Sequence, residues 1–147
     1  EKVQNNFDKP VTLTIVGDGI GKKELLNRIA KSNLNINFLG KLSHEEVLNV
    51  LSETDILLTP STIPEGFPTV LLEGLVLQNW IFSTPISCSN LLNEFETIQF
   101  LEIPKMVDAI LELLNSDRMN VVNYEKITSQ VLQKFSWETN YSWILNL

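Results

Sequence analysis

Cysteine is nearly absent. Cys88 stands alone in 147 residues, so no disulfide can close within the chain, and the composition suits a reducing compartment. Histidine is as scarce, with His44 alone, and no Asp-x-Asp pair or histidine cluster points to a metal. No apolar run reaches the length of a membrane span, and no signal-peptide pattern opens the chain. Internal repeats and low-complexity segments are missing too. Positive charge is in short supply: 11 Lys and Arg face 18 Asp and Glu, for a net charge of −7. That balance argues against nucleic acid or anionic lipid as the main partner, since both reward basic patches. A small phosphate ligand stays compatible, because backbone N–H groups can hold one.

What is present is the make-up of one ordinary α/β domain. Hydrophobic residues are 44% and charged residues 20%, enough for a sizeable core without metal or disulfide. The chain starts at Glu1 rather than Met and reaches a strand pattern within about ten residues, as a piece of a longer protein would. Residues 1–10 read as a polar lead-in. "VTLTIVG" (11–17), "INFLG" (36–40), "DILLTP" (55–60), "WIFST" (80–84) and "TIQFL" (97–101) read as strands. The unbroken apolar character of 55–60 predicts a strand covered on both faces. Helices are expected at 22–32, from Ser43 with the capping-box residue Glu46, from Pro68 to about Gln78, over a short part of 88–95, from Pro104 with Met106, Val107, Ile110 and Leu111, and over 120–147. Strand and helix alternate about five times, which predicts a three-layer αβα domain on a parallel sheet of about five strands. Ligands of such sheets bind at the carboxyl ends of strands, so the loops at 17–21, 40–43, 60–67 and 84–90 matter most.

The stretch "PSTIPEGFPTVLLEG" (60–74) carries two acids separated by seven residues, Glu65 and Glu73. Pro68 fixes its own φ and biases Phe67 away from helix, so the helix start is sharply defined. The N–H groups of Thr69 and Val70 have no partner within the helix, and the helix dipole adds partial positive charge there. This is an anion site suited to phosphate, and Gly66 lets a ligand approach the backbone. Glu73 lies roughly 7 Å along the axis from the first turn, about the reach from a phosphate to its ribose. A carboxylate can accept from two vicinal hydroxyls at once. Glu65 would face the group on the far side of the phosphates. Taken singly, Glu73 could be a solvated helix-edge residue and Glu65 a loop acid near a helix N-terminus; the pair around a defined helix start is more specific.

This stretch resembles the donor-site signature of the retaining glycosyltransferases of the GT-B fold, family 4. "LTIVGDGIGKKELL" looks like the family's strand, Gly-x-Gly turn and helix, and "INFLGKLSHEEVLNVLSETDILLTPS" like its next strand, helix and strand. "KFSWETNYSWI" resembles its closing helix, and the match covers roughly 11–145. The resemblance implies a Rossmann-like C-terminal half that takes a UDP- or GDP-linked sugar as substrate, with no cofactor and no metal. It implies that Glu65 is catalytic, contacting the donor sugar and its phosphate, and that Glu73 binds the ribose hydroxyls. Phe67, Pro68, Thr69 and Val70 would hold the diphosphate after Gly66, and Gly40, Lys41 and Leu42 would lie against the base. Ser61 and the turn glycines Gly17 and Gly19 complete the implied donor site. Transfer would go to a hydroxyl with the anomeric configuration retained, in polysaccharide or glycolipid assembly of bacterial type. The acceptor, a saccharide or lipid-linked saccharide, would belong to a missing N-terminal half. The same half would provide any peripheral contact with the inner face of the membrane for an otherwise cytoplasmic protein. The fragment by itself is expected to transfer no sugar.

The sequence departs from the family pattern in places. The family's first strand and helix of this half, with an Arg and a Lys that grip phosphate, are not found. Gln78 and Trp80 stand where a Gly and a Pro are usual, and "TPISCSNLLNE" lacks the usual Gly pair, although Glu94 matches its following acid. A noncatalytic nucleotide-binding or scaffold relative is the alternative from another class, and a nucleotide-sugar epimerase the alternative from the same fold group. "GDGIG" (17–21) is one residue short of a dinucleotide fingerprint and reads as a tight turn. His44 reads as a surface residue in a first helical turn, Cys88 has no partner that would make it a nucleophile, and the aromatics at 135–143 read as core.

Overall fold

The computed structural model describes residues 1–63 and 66–136. Among the described residues five strands alternate with helices, all paired in parallel: β1 (Thr12–Val16), β2 (Asn35–Gly40), β3 (Ile56–Thr59), β4 (Trp80–Ser83) and β5 (Ile98–Phe100). The larger helices are α2 (Lys22–Ile29), α3 (His44–Ser52), α4 (Thr69–Val76), α6 (Ile103–Leu114) and α8 (Tyr124–Phe135). Single turns make α1 (Lys2–Asn5), α5 (Ser89–Leu92) and α7 (Arg118–Val121).

The strands do not join in one ladder. β1 pairs with β2, and β3, β4 and β5 pair in that order. In the first ladder Thr12 faces Asn35 and Ile15 faces Phe38; the register then slips so that Val16 faces Gly40. In the second, Ile56 faces Trp80 and Thr59 faces Ser83, while Ile81 faces Ile98 and Ser83 faces Phe100. Parallel pairing brings the carboxyl ends of each ladder, and the loops after them, to one edge.

Burial follows from this arrangement. β4 is the middle strand of its ladder, and all four of its residues are buried. Its side chains alternate between two cores. Ile81 packs with Leu71 and Leu75 of α4, Leu92, Phe95, Ile98, and Ile127 and Val131 of α8. Trp80 and Phe82 pack with Met106, Ile110 and Leu113 of α6. Helices thus cover both faces of the β3–β4–β5 ladder, the layering that the alternating sequence implies. Fully burying side chains of this size contributes about 1.5–3 kcal/mol each. β3 is only half-buried, with Leu58 39% exposed, against the sequence reading of a strand covered on both faces. It is an edge strand of its ladder, so the apolar run reflects one packed face and one partly open one.

The lead-in also gains structure: α1 packs Val3 onto the α6 core, Lys2 pairs with Asp108, and the Gln4 side chain accepts from the Val11 amide at 2.8 Å. α4 sits close on the sheet at Gly74, where a Cβ would fall 2.9 Å from Leu57 Cδ2 and 3.1 Å from Ile81 Cδ1. Glycine at that position is what lets the helix carrying Glu73 approach β3 and β4.

Candidate functional site

The start of α4 is built as the sequence predicts. Pro68 is the N-cap residue with φ −71° and ψ 114°, extended backbone that turns the chain into the helix. The Leu71 amide reaches back to the Pro68 carbonyl at 3.2 Å. The amides of Thr69 and Val70 have no partner among the described residues, and no side chain caps the helix. By contrast, α3 closes its own start: the Ser43 hydroxyl accepts from the Glu46 amide at 3.3 Å, and the Ser43 amide donates to the Glu46 carboxylate at 2.7 Å. The Ser43 amide and the Ser43 hydroxyl both donate to the Glu46 carboxylate and hold it below the ordinary carboxylate range. α8 likewise uses Asn123, whose side chain accepts from the Lys126 amide. α2 and α6 also lack side-chain caps. α4 differs from them in the carboxylate behind its open amides, which is largely shielded, whereas Asp108 on the second turn of α6 is exposed and pairs with Lys2.

That carboxylate is Glu73, whose side chain is 21% exposed. Its Oε1 lies 3.3 Å from Nε2 of His44, the first residue of α3, whose ring is 70% exposed. Glu73 therefore turns toward the loop after β2, where Lys41 is exposed and Leu42 half-buried. The loop ahead of α4 is tied from two sides. Cys88 Sγ donates to the Gly66 carbonyl at 3.3 Å, and the Phe67 ring meets Phe135 at 5.7 Å between centroids. A Cβ on Gly66 would meet nothing within 4 Å, so the space in front of that backbone is open. Glu65 lies outside the described residues, as do Trp137, Tyr141 and Trp143 of the expected closing helix; Phe135 is half-buried against the α4 core.

The remaining residues singled out from sequence fall into two clefts. Gly17 (φ +130°) and Gly19 line one of about 260 Å³ with Asp18, Lys22 and Phe38. The Gly17 amide donates to the Gly40 carbonyl at 2.7 Å, which ties this turn to the loop carrying Lys41. Lys22 donates to Asp18 at 2.7 Å and the Gly19 amide at 2.8 Å, and together they hold the Asp18 carboxyl below its usual range. Ser61 lines the other cleft, of about 530 Å³, with Thr84, Ser87 and Glu102 at the carboxyl ends of the second ladder. Thr84 fixes it by donating to the Ser61 carbonyl at 2.8 Å. Neither cleft is lined by Thr69, Val70 or Glu73, and Thr69 is exposed.

Sequence reasoning passed over the approach of His44 to Glu73. The signal for it is position: His44 directly follows the loop at the carboxyl end of β2. Among the described residues no group of three His, Cys, Asp or Glu side chains could hold a metal, and no helix is long and apolar enough to cross a membrane.

The family described as glycosyl transferases group 1 matches residues 1–127. Among solved structures, the crystal structure of HepE from Anabaena in complex with UDP is similar, with a TM-score of 0.78 and 19% sequence identity over 98% of this chain. The chain spans 42% of the length of that one. No curated protein matches.

Proposed function

The chain belongs to the glycosyl transferases group 1 family, and from that premise we propose that it is the donor-binding half of a retaining glycosyltransferase that moves a sugar from a nucleoside diphosphate to an acceptor hydroxyl. The pyrophosphate sits on the Thr69 and Val70 amides, with Gly66, Phe67 and Pro68 beside it. Glu73 accepts from the ribose hydroxyls, and the Gly40–Leu42 loop lies against the base. Glu65 is the catalytic residue of this reading, in contact with the donor sugar and its phosphate. As the bond from the anomeric carbon to the diphosphate breaks, negative charge grows on the leaving group. Amides already aimed at it, with the helix dipole behind them, stabilise that charge without reorganisation. UDP is the first nucleotide to test, because the similar HepE structure holds UDP; GDP is the second. The acceptor is a saccharide or lipid-linked saccharide, held by an N-terminal half.

The observation that carries this reading is the open pair of amides at the start of α4 with the half-buried Glu73 one turn behind it, directed to the loop after β2. Calorimetric titration with UDP and GDP tests it. Hydrogen bonds to a charged acceptor are worth about 1.5–3 kcal/mol, so Glu73→Ala is expected to weaken nucleotide binding about tenfold or more. Binding that is equally tight without the carboxylate overturns the ribose assignment, and no binding of either nucleotide to the wild type overturns the reading as a whole.

A further inference from the structure

We propose that His44 is a positioning residue for Glu73, holding one carboxylate oxygen so that the other is presented to the ribose; this rests on the nucleotide reading above. Three observations support it. The imidazole Nε2 stands 3.3 Å from Glu73 Oε1, and no other cation of the described residues comes within ion-pair reach of that carboxylate. The two side chains come from different elements, α3 and α4, and α4 carries no other charged residue that could orient Glu73. Finally, the backbone on the His44 side is fixed. Ser43 and Glu46 lock the first turn of α3 through a reciprocal cap, so the ring projects from a defined point.

A glutamate side chain loses considerable rotamer freedom when it is fixed. No hydrogen bond to the Glu73 carboxylate is formed among the described residues, and His44 is its one ion-pair contact, so without His44 that ordering would fall on the ligand. With His44, Oε1 is engaged from one side and Oε2 is left to accept from a hydroxyl. The imidazole does this in either charge state, as a neutral Nε2–H or as imidazolium, with the attraction stronger in the second. His44 is not a catalytic residue in this scheme, since it acts through Glu73.

The test uses the 147-residue chain and two probes, UDP and inorganic pyrophosphate, which lacks the ribose. An exposed pair of this kind is worth up to about 1 kcal/mol, so His44→Ala is expected to weaken UDP binding by about fivefold or less, but measurably. Pyrophosphate binding should be unchanged. In the Glu73→Ala background, His44→Ala should cost nothing more, because the group it positions is gone. His44→Gln places an amide N–H near the position of Nε2 and should recover most of the loss, which a bulk effect on folding would not allow. Equal weakening of UDP and pyrophosphate, or additive losses in the double variant, overturns the proposal. So does a wild-type-like UDP affinity in His44→Ala while Glu73→Ala is impaired; that outcome leaves the nucleotide site standing. Absence of UDP binding in the wild type instead removes the premise.

Discussion

Gln78 ends α4 in the left-handed region, with φ 69°. The Asn79 amide donates to the Gly74 carbonyl at 2.8 Å and the Gln78 amide to the Leu75 carbonyl at 3.3 Å, the paired bonds of a Schellman-type helix end. Glycine is the usual residue there because a Cβ is strained at positive φ. The next residue holds the turn: fully buried Asn79 donates to the Leu51 carbonyl at 2.9 Å and to that of Thr54, bolting α4 to the end of α3. Gln78→Gly should therefore relieve strain while keeping every bond. Net of the added freedom of the unfolded chain, a gain of about 0.5–1 kcal/mol is expected. Urea unfolding with an unchanged m-value checks it, and a loss of stability would show that the Gln78 side chain makes up for its backbone. In the sequence Gln78 departs from a glycine position, and its positive φ is the reason a glycine fits there.

At the scale of the element, the helix starts were the most legible part of the chain. Ser43 with Glu46, and Pro68 after Phe67, each announce a local geometry that depends on a few neighbouring residues. Both stand as read. Less legible was anything set by partners far along the chain. β3 was read as the strand buried on both faces because its own residues are apolar, yet β4 takes that place because it has a neighbour on each side. The approach of His44 to Glu73 joins two helices, and no spacing rule connects them. The open amides of α4 give a test confined to the element. Thr69 is the first helical residue, where proline is tolerated and where its missing N–H breaks no helical bond. Thr69→Pro should leave the melting temperature close to that of the wild type. It should weaken both UDP and pyrophosphate, by about ten- to a hundredfold for one charge-assisted bond. A stable variant with undiminished affinity for both would place the diphosphate elsewhere.

The whole molecule is unevenly built. Among the described residues every buried hydrophobic side chain lies at or after Leu51. The β1–β2 ladder contributes only Gly40 to the buried set, and Leu13, Val16 and Leu39 are each more than one-third exposed. Alternation of strand and helix along the chain gives no hint of this, because periodicity shows which residues could be buried and not whether a neighbour covers them. Local opening free energy falls where few apolar groups are buried. Amides of β1 and β2 should thus exchange with deuterium well before those of β4, by about thirtyfold or more, the equivalent of about 2 kcal/mol. The proposed donor site spans this division, with the base on the loop after β2 and the phosphates on α4. A nucleotide that contacts both must be released before β2 can open. At about one hundred times its dissociation constant it adds up to about 2.7 kcal/mol to that opening. UDP should therefore slow exchange in β2 and in the first turn of α3 by as much as about a hundredfold. If UDP binds and protects only the α4 turn, the nucleotide does not reach the Gly40–Leu42 loop, and the base must lie on another part of the surface.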